Sequence, residues 1–126
     1  MKVAYDIDGT ITEFPKQLKT LMRLTESVVL TGSLNVNLDK GYIEIDSTDS
    51  GRINQLAVYE IDSNDYKSLV RCIGRDVIEV AKLKGEYCRD NNIDLIFEDT
   101  PLFTYWISKI SPNTACFLTH NDNFQK

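Results

Sequence analysis

The sequence predicts an α/β protein built on one doubly wound, Rossmann-like parallel sheet, and three observations carry that expectation. Short apolar, β-branched runs alternate with segments whose apolar residues recur at helical spacing, the rhythm of a parallel sheet covered on both faces. Three of those runs end in polar residues at what would be the carboxyl edge of the sheet: Asp6 and Asp8, then Thr31, then Glu98 and Asp99. Finally, 126 residues, 42% of them hydrophobic, fill one core and not two comfortable ones, so residues 1–126 are expected to form a single domain.

Lys2 to Ile7 is a β-prone run ending in a carboxylate, followed by a turn at Asp8-Gly9-Thr10. Pro15 suits a first helical position, and Leu18, Leu21, Met22 and Thr25 then follow on one helical face, predicting a helix packed on the sheet. Val28-Val29-Leu30, closing on Thr31-Gly32, reads as a buried parallel strand. The pattern changes between 33 and 51. There Leu34, Val36 and Leu38, then Tyr42, Ile43 and Ile45, lie on either side of Asp39-Lys40-Gly41 in largely alternating runs, which predicts an inserted β-hairpin. A short helix is expected around 52–61, a turn at Asp65-Tyr66, and a strand over 68–73. Val77, Val80, Ala81, Lys84, Tyr87 and Cys88 mark a helical face that Asn91-Asn92 ends, and Ile93 to Phe97 is a buried strand. Tyr105 and Trp106, after Pro101, belong to a helix expected to pack on the sheet, and 115–119 is the last strand.

Composition excludes several classes. A formal charge of −5 with 14 Lys+Arg gives no basic stripe for an extended nucleic-acid groove, while leaving room for a local basic pocket. No apolar run approaches the roughly 20 residues that span a bilayer, and Met1-Lys2-Val3 leads straight into a charged strand, so a soluble, cytoplasmic protein is expected. Cys72, Cys88 and Cys116 are widely spaced and accompany a single histidine, His120, which disfavours both zinc and disulfide scaffolds. They are expected to be buried thiols. His120, Asn121 and Asn123 read as a surface loop, with substrate contact the less favoured alternative.

The carboxylates carry the chemistry. At strand spacing Asp6 and Asp8 point the same way and reach a common ion. Mg²⁺ takes a few oxygen ligands and leaves the rest of its shell to water and phosphate, so Asp6, the Asp8 carbonyl and Asp99 would hold it, with Glu98 the alternative ligand. Asp6 is ionised at neutral pH and competent to attack phosphorus. Asp8 can protonate the leaving oxygen and then activate a water. Gly9 lets backbone approach a phosphate, and Thr10 can cap the turn or bond locally. Thr31, with Gly32 behind it, offers a hydroxyl to a phosphoryl oxygen. A lysine must offset the accumulated charge. Lys84 falls on the inward stripe with Val80, Ala81 and Cys88, whereas Lys82, the alternative, points away.

Asp6-Ile7-Asp8-Gly9-Thr10-Ile11-Thr12 resembles the first motif of the haloacid dehalogenase superfamily, Asp-x-Asp-Gly-Thr after a hydrophobic strand. Val28 to Thr31 resembles its second, Lys84 matches its third, and Ile93 to Asp99 resembles its fourth, all in order over roughly residues 2 to 119. The resemblance implies a Mg²⁺-dependent phosphatase working through an aspartyl-phosphate on a phosphomonoester: a nucleotide, a sugar phosphate or a phosphorylated polynucleotide end. Glu98-Asp99 departs from the commoner double Asp, leaving open which carboxylate holds the metal. The gaps where family caps lie are short, which implies a capless member.

Two rival functions are weighed beside this one. A receiver-type phospho-accepting domain uses similar residues, but its Asp follows the third strand, and no acidic residue ends 68–73 here. A catalytically degenerate, ligand-binding or regulatory member is the other, against which the intact Asp6 and Asp8 argue. The expected 33–51 hairpin would be a lid, a homodimer surface or a ribbon packed on its own domain.

Overall fold

A computed structural model of the chain describes residues 1–32, 36–37, 43–46, 59–60 and 68–119. The first strand, β1 (Lys2–Tyr5), leads into a single π-helical turn at Ile7–Ile11 and then α1 (Pro15–Leu24) and β2 (Glu26–Thr31). Four strands follow: β3 (Val36–Asn37), β4 (Ile43–Asp46), β5 (Tyr59–Glu60) and β6 (Ser68–Ile73). The chain continues through α2 (Val77–Asp90), β7 (Leu95–Glu98), α3 (Pro101–Ile110) and β8 (Ala115–Leu118).

Six strands form one sheet in the order β4-β6-β2-β1-β7-β8, and every neighbouring pair is parallel. Alternation along each strand sorts the core into two layers. Leu18 and Met22 of α1 pack with Val3, Tyr5, Val29 and Leu69 on one face. On the other, Val80 and Cys88 of α2 and Ile107 of α3 pack with Val28, Leu30 and Ile96. The sheet is thus doubly wound. From β1 the chain steps outward to β2, and α2 then returns it to β7 on the far side of β1. The topological switch point therefore lies between β1 and β7, where such sheets open a crevice at their carboxyl edge.

Local chemistry explains the boundaries. Pro15 and Pro101 begin α1 and α3, where a missing N–H is no loss. Asp76 caps α2 by accepting from the Glu79 amide at 2.9 Å, and Asn92 leaves the helix at φ 54°.

Several expectations are corrected. The strand expected over residues 2–7 ends at Tyr5, because the Ile11 and Thr12 amides donate back to the Asp6 and Ile7 carbonyls and close the π turn. Ile7 and Asp8 are therefore not extended, and the strand-spacing argument for Asp6 and Asp8 does not apply. The 33–51 hairpin is not formed: β4 pairs in parallel with β6, joining the main sheet, while β3 pairs in parallel with β5. Alternating apolar residues suit an edge strand as well as a hairpin arm, and only pairing distinguishes them. Tyr59–Glu60, expected to be helical, is strand. Tyr105 is 56% exposed, and Ile107 is the residue of α3 that enters the core. The rest of the expected 52–61 helix, the Asp65-Tyr66 turn, the 39–41 loop, and His120, Asn121 and Asn123 lie outside the described residues. So does most of 33–67.

Candidate functional site

Register brings the acidic residues together. Tyr5 lies beside Phe97, and the Asp6 amide donates to the Phe97 carbonyl at 3.1 Å, so Asp6 and Glu98 leave adjacent strands side by side at the switch point. Both continue the alternation of Ala4 and Ile96 and face α2. From that helix Lys84, fully buried, donates to Asp6 Oδ1 at 2.9 Å and to Glu98 Oε2 at 2.8 Å. Phe103 of α3 covers the ammonium, with its ring centroid 4.6 Å from Nζ. Lys82 points outward as expected, over the Trp106 ring at 4.6 Å.

Asp99 completes the cluster. One carboxylate oxygen each from Asp6, Glu98 and Asp99 lies within 4.8 Å of the others. Asp99 reaches this place because Gly9 has no side chain: a β-carbon on Gly9 would sit 2.0 Å from Asp99 Oδ2. Gly9 also adopts φ 71°, which lets the π turn fold back over the edge. Thr100 Oγ1 donates to Asp99 Oδ1 at 3.2 Å.

The electrostatics follow from burial. Desolvation pushes the Asp6 carboxyl above its ordinary value, and Lys84 pulls it part of the way back. Glu98 is raised well above the usual range, first by burial and then by the charge of Asp6. Burial alone would lower Lys84, but the two carboxylates outweigh it and raise its pKa. Two carboxylates share one ammonium, and the third lies beside them. In addition, Glu98 Oε1 is buried and has no hydrogen-bond partner among the described residues. An orphaned carboxylate oxygen in an all-oxygen donor set fits a hard divalent cation better than a soft one, and Asp6, Glu98 and Asp99 could hold such an ion.

The remaining expected residues are placed as follows. Thr31 ends β2 at the same edge, buried, but alternation sets it on the α1 face, in register with the buried Arg71 of β6. Gly32 follows it against Val80 of α2. Thr10 is fully buried, with its hydroxyl 2.9 Å from that of Thr119, and it does not cap the turn. Thr12 takes that role, accepting from the Gly9 amide at 3.0 Å and donating to the Ile7 carbonyl at 3.2 Å. The backbone of Asp8 lies in the turn, and its side chain is outside the described residues. Sequence reasoning missed Phe103, Arg71 and Thr119. An Arg within the apolar 68–73 run was a visible signal, whereas Phe103 and Thr119 gave none. No family model matches the chain, and neither does any curated protein or solved structure.

Proposed function

We propose that the chain is a Mg²⁺-dependent phosphohydrolase of the haloacid dehalogenase type, acting on a phosphomonoester through a phosphorylated Asp6. The observation that carries this reading is Lys84, held in a buried fork between Asp6 and Glu98 at the switch point of a parallel sheet. A buried ammonium there orients one carboxylate and offsets charge that an incoming phosphoryl group would add.

Asp6 supplies the attacking oxygen. Its bond to phosphorus forms as the bond to the leaving oxygen breaks, and Asp8 gives that oxygen a proton. Asp8 then takes a proton from a water whose oxygen attacks phosphorus, releasing inorganic phosphate and regenerating the Asp6 carboxylate. Asp6, Glu98 and Asp99 would hold Mg²⁺, which when bound offsets negative charge on the transferring group. Thr31 and the backbone around Gly9 are the proposed phosphate contacts, and Lys84 keeps Asp6 in place through both steps.

Hydrolysis of an aryl phosphate with and without Mg²⁺ tests the reading. Asp6→Asn is expected to abolish turnover, and Asp8→Asn to lower kcat by about 10²–10⁴. Beryllofluoride with Mg²⁺ should raise the melting temperature of the wild type and leave Asp6→Asn unchanged. Full activity in Asp6→Asn overturns the mechanism.

A further inference from the structure

The geometry points to Thr119, at the end of β8, as a positioning residue that sets divalent-cation affinity by holding the π turn against Asp99 through Thr10. The inference takes its ligand from the phosphohydrolase reading and goes beyond it in assigning work to a residue that touches none of the proposed reacting groups.

Thr119 touches both halves of the site. Its amide donates to the Glu98 carbonyl at 2.8 Å, continuing the β7–β8 ladder one residue past the strands. Its hydroxyl lies 2.9 Å from that of Thr10, and both side chains are buried. Thr10 sits in the turn directly after Gly9, whose bare backbone faces the Asp99 carboxylate. Among the described groups, the turn's other hydrogen bonds are local: Ile11 N–H to Asp6, Thr12 N–H to Ile7, Phe14 N–H to Thr10, and the two made by the Thr12 hydroxyl. They fix the turn's shape, while Ile7 and Ile11, buried in the core, seat its apolar side on the sheet. Among the described residues, the Thr10–Thr119 bond is the one hydrogen bond that ties the Ile7–Ile11 turn to another strand.

Deleting either hydroxyl leaves the other buried and unpaired, a cost that movement of the turn toward water would relieve. Such a movement shifts Gly9 against Asp99, and Asp99 against Asp6 and Glu98. A cation held by three carboxylate oxygens responds to shifts of this kind. A merely structural hydroxyl pair would instead change stability alone.

The test titrates Mg²⁺ into the full chain, wild type and variants, following melting temperature and calorimetric heat. Thr119→Val is expected to bind Mg²⁺ about tenfold more weakly, as the loss of one buried hydrogen bond at a ligand-bearing turn allows. Thr119→Ser, which keeps the hydroxyl, should stay within about twofold of the wild type. Thr10→Val reads the same bond from its other end and serves if Thr119→Val does not fold. The double variant should bind no more weakly than the weaker single variant, since both remove one interaction. With an aryl phosphate, the Mg²⁺ concentration for half-maximal rate should rise by the same factor, while saturating Mg²⁺ restores most of kcat. A Thr119→Val or Thr10→Val protein that melts lower yet binds Mg²⁺ like the wild type overturns this inference alone. Wild-type protein that binds no Mg²⁺ overturns the phosphohydrolase reading with it.

Discussion

Taking a lysine ammonium out of water carries a penalty of several kcal/mol, and Lys84 meets it with two charge-assisted hydrogen bonds in a fully buried setting. Removing the cation leaves two carboxylates buried without their partner. Lys84→Met is therefore expected to lower stability by about 3–5 kcal/mol at neutral pH. The pH dependence has a definite sign. Asp6 and Glu98 both have raised pKa values, so they take up protons in the folded state as pH falls and then need no cation. The gap between wild type and Lys84→Met should thus shrink as pH falls below neutrality. Lys82→Met, which loses only an exposed contact over Trp106, should change stability by less than about 1 kcal/mol. Denaturant melts of metal-free protein at two pH values check both, and equal losses for the two variants would contradict the placement of Lys84.

At the scale of elements, the site depends on how closely α3 lies against α2, because α3 brings Phe103 over the lysine that α2 carries. Gly85 permits that approach. A β-carbon there would meet Ile110 Cβ at 3.0 Å and the Trp106 carbonyl at 3.3 Å, contacts to atoms near or on the backbone that cannot swing aside. Gly85→Ala gains about 1 kcal/mol of helix propensity and loses it to that contact, so its net effect should be small. Gly85→Leu has no such balance. It should separate the helices, destabilise the fold by roughly 1–3 kcal/mol, and weaken the cover on Lys84. Thermal melts of the two variants separate these outcomes, and a Gly85→Leu protein as stable as wild type would argue against close α2–α3 packing.

On the scale of the whole molecule, all three cysteines lie on the α2/α3 side of the sheet. Burial pushes the Cys72 and Cys88 thiols up to about 12, while Cys116 on the edge strand is half-buried and less protected. A thiol whose folded pKa is raised adds stability that is present below about pH 8.5 and is lost as pH climbs toward the folded value. Alkylation in native buffer should therefore modify Cys116 first, with Cys72 and Cys88 reacting only through global opening at rates that follow unfolding free energy. Intact-mass measurements after timed iodoacetamide pulses read this directly. Labelling of Cys72 as fast as Cys116 would show that the layer under α2 opens locally.

Local pattern alone determined that the chain alternates strands and helices, that Pro15 begins a helix, and that strands lie near 28–31, 68–73 and 93–97, the first and last of them buried. It also singled out Asp6, Lys84, Glu98 and Asp99. These features are legible because each depends on near neighbours in sequence: a run of apolar residues, a helical stripe that must face the sheet, a carboxylate where a strand ends. Lys84 was separable from Lys82 for the same reason, since two residues along a helix turn a side chain to the other face. What only the tertiary structure decided depends on pairing across the sheet. The run at 43–46 alternates like a hairpin arm, yet it joins β6 in parallel, because alternation specifies which face is buried and not which strand lies alongside. Thr10 and Thr119 stand at opposite ends of the chain, and neither carries a sign of the other until β8 is laid beside β7. The π turn that takes Asp8 out of strand spacing is closed by local hydrogen bonds, yet its close approach to Asp99 depends on Gly9 meeting a segment that the sequence holds far apart.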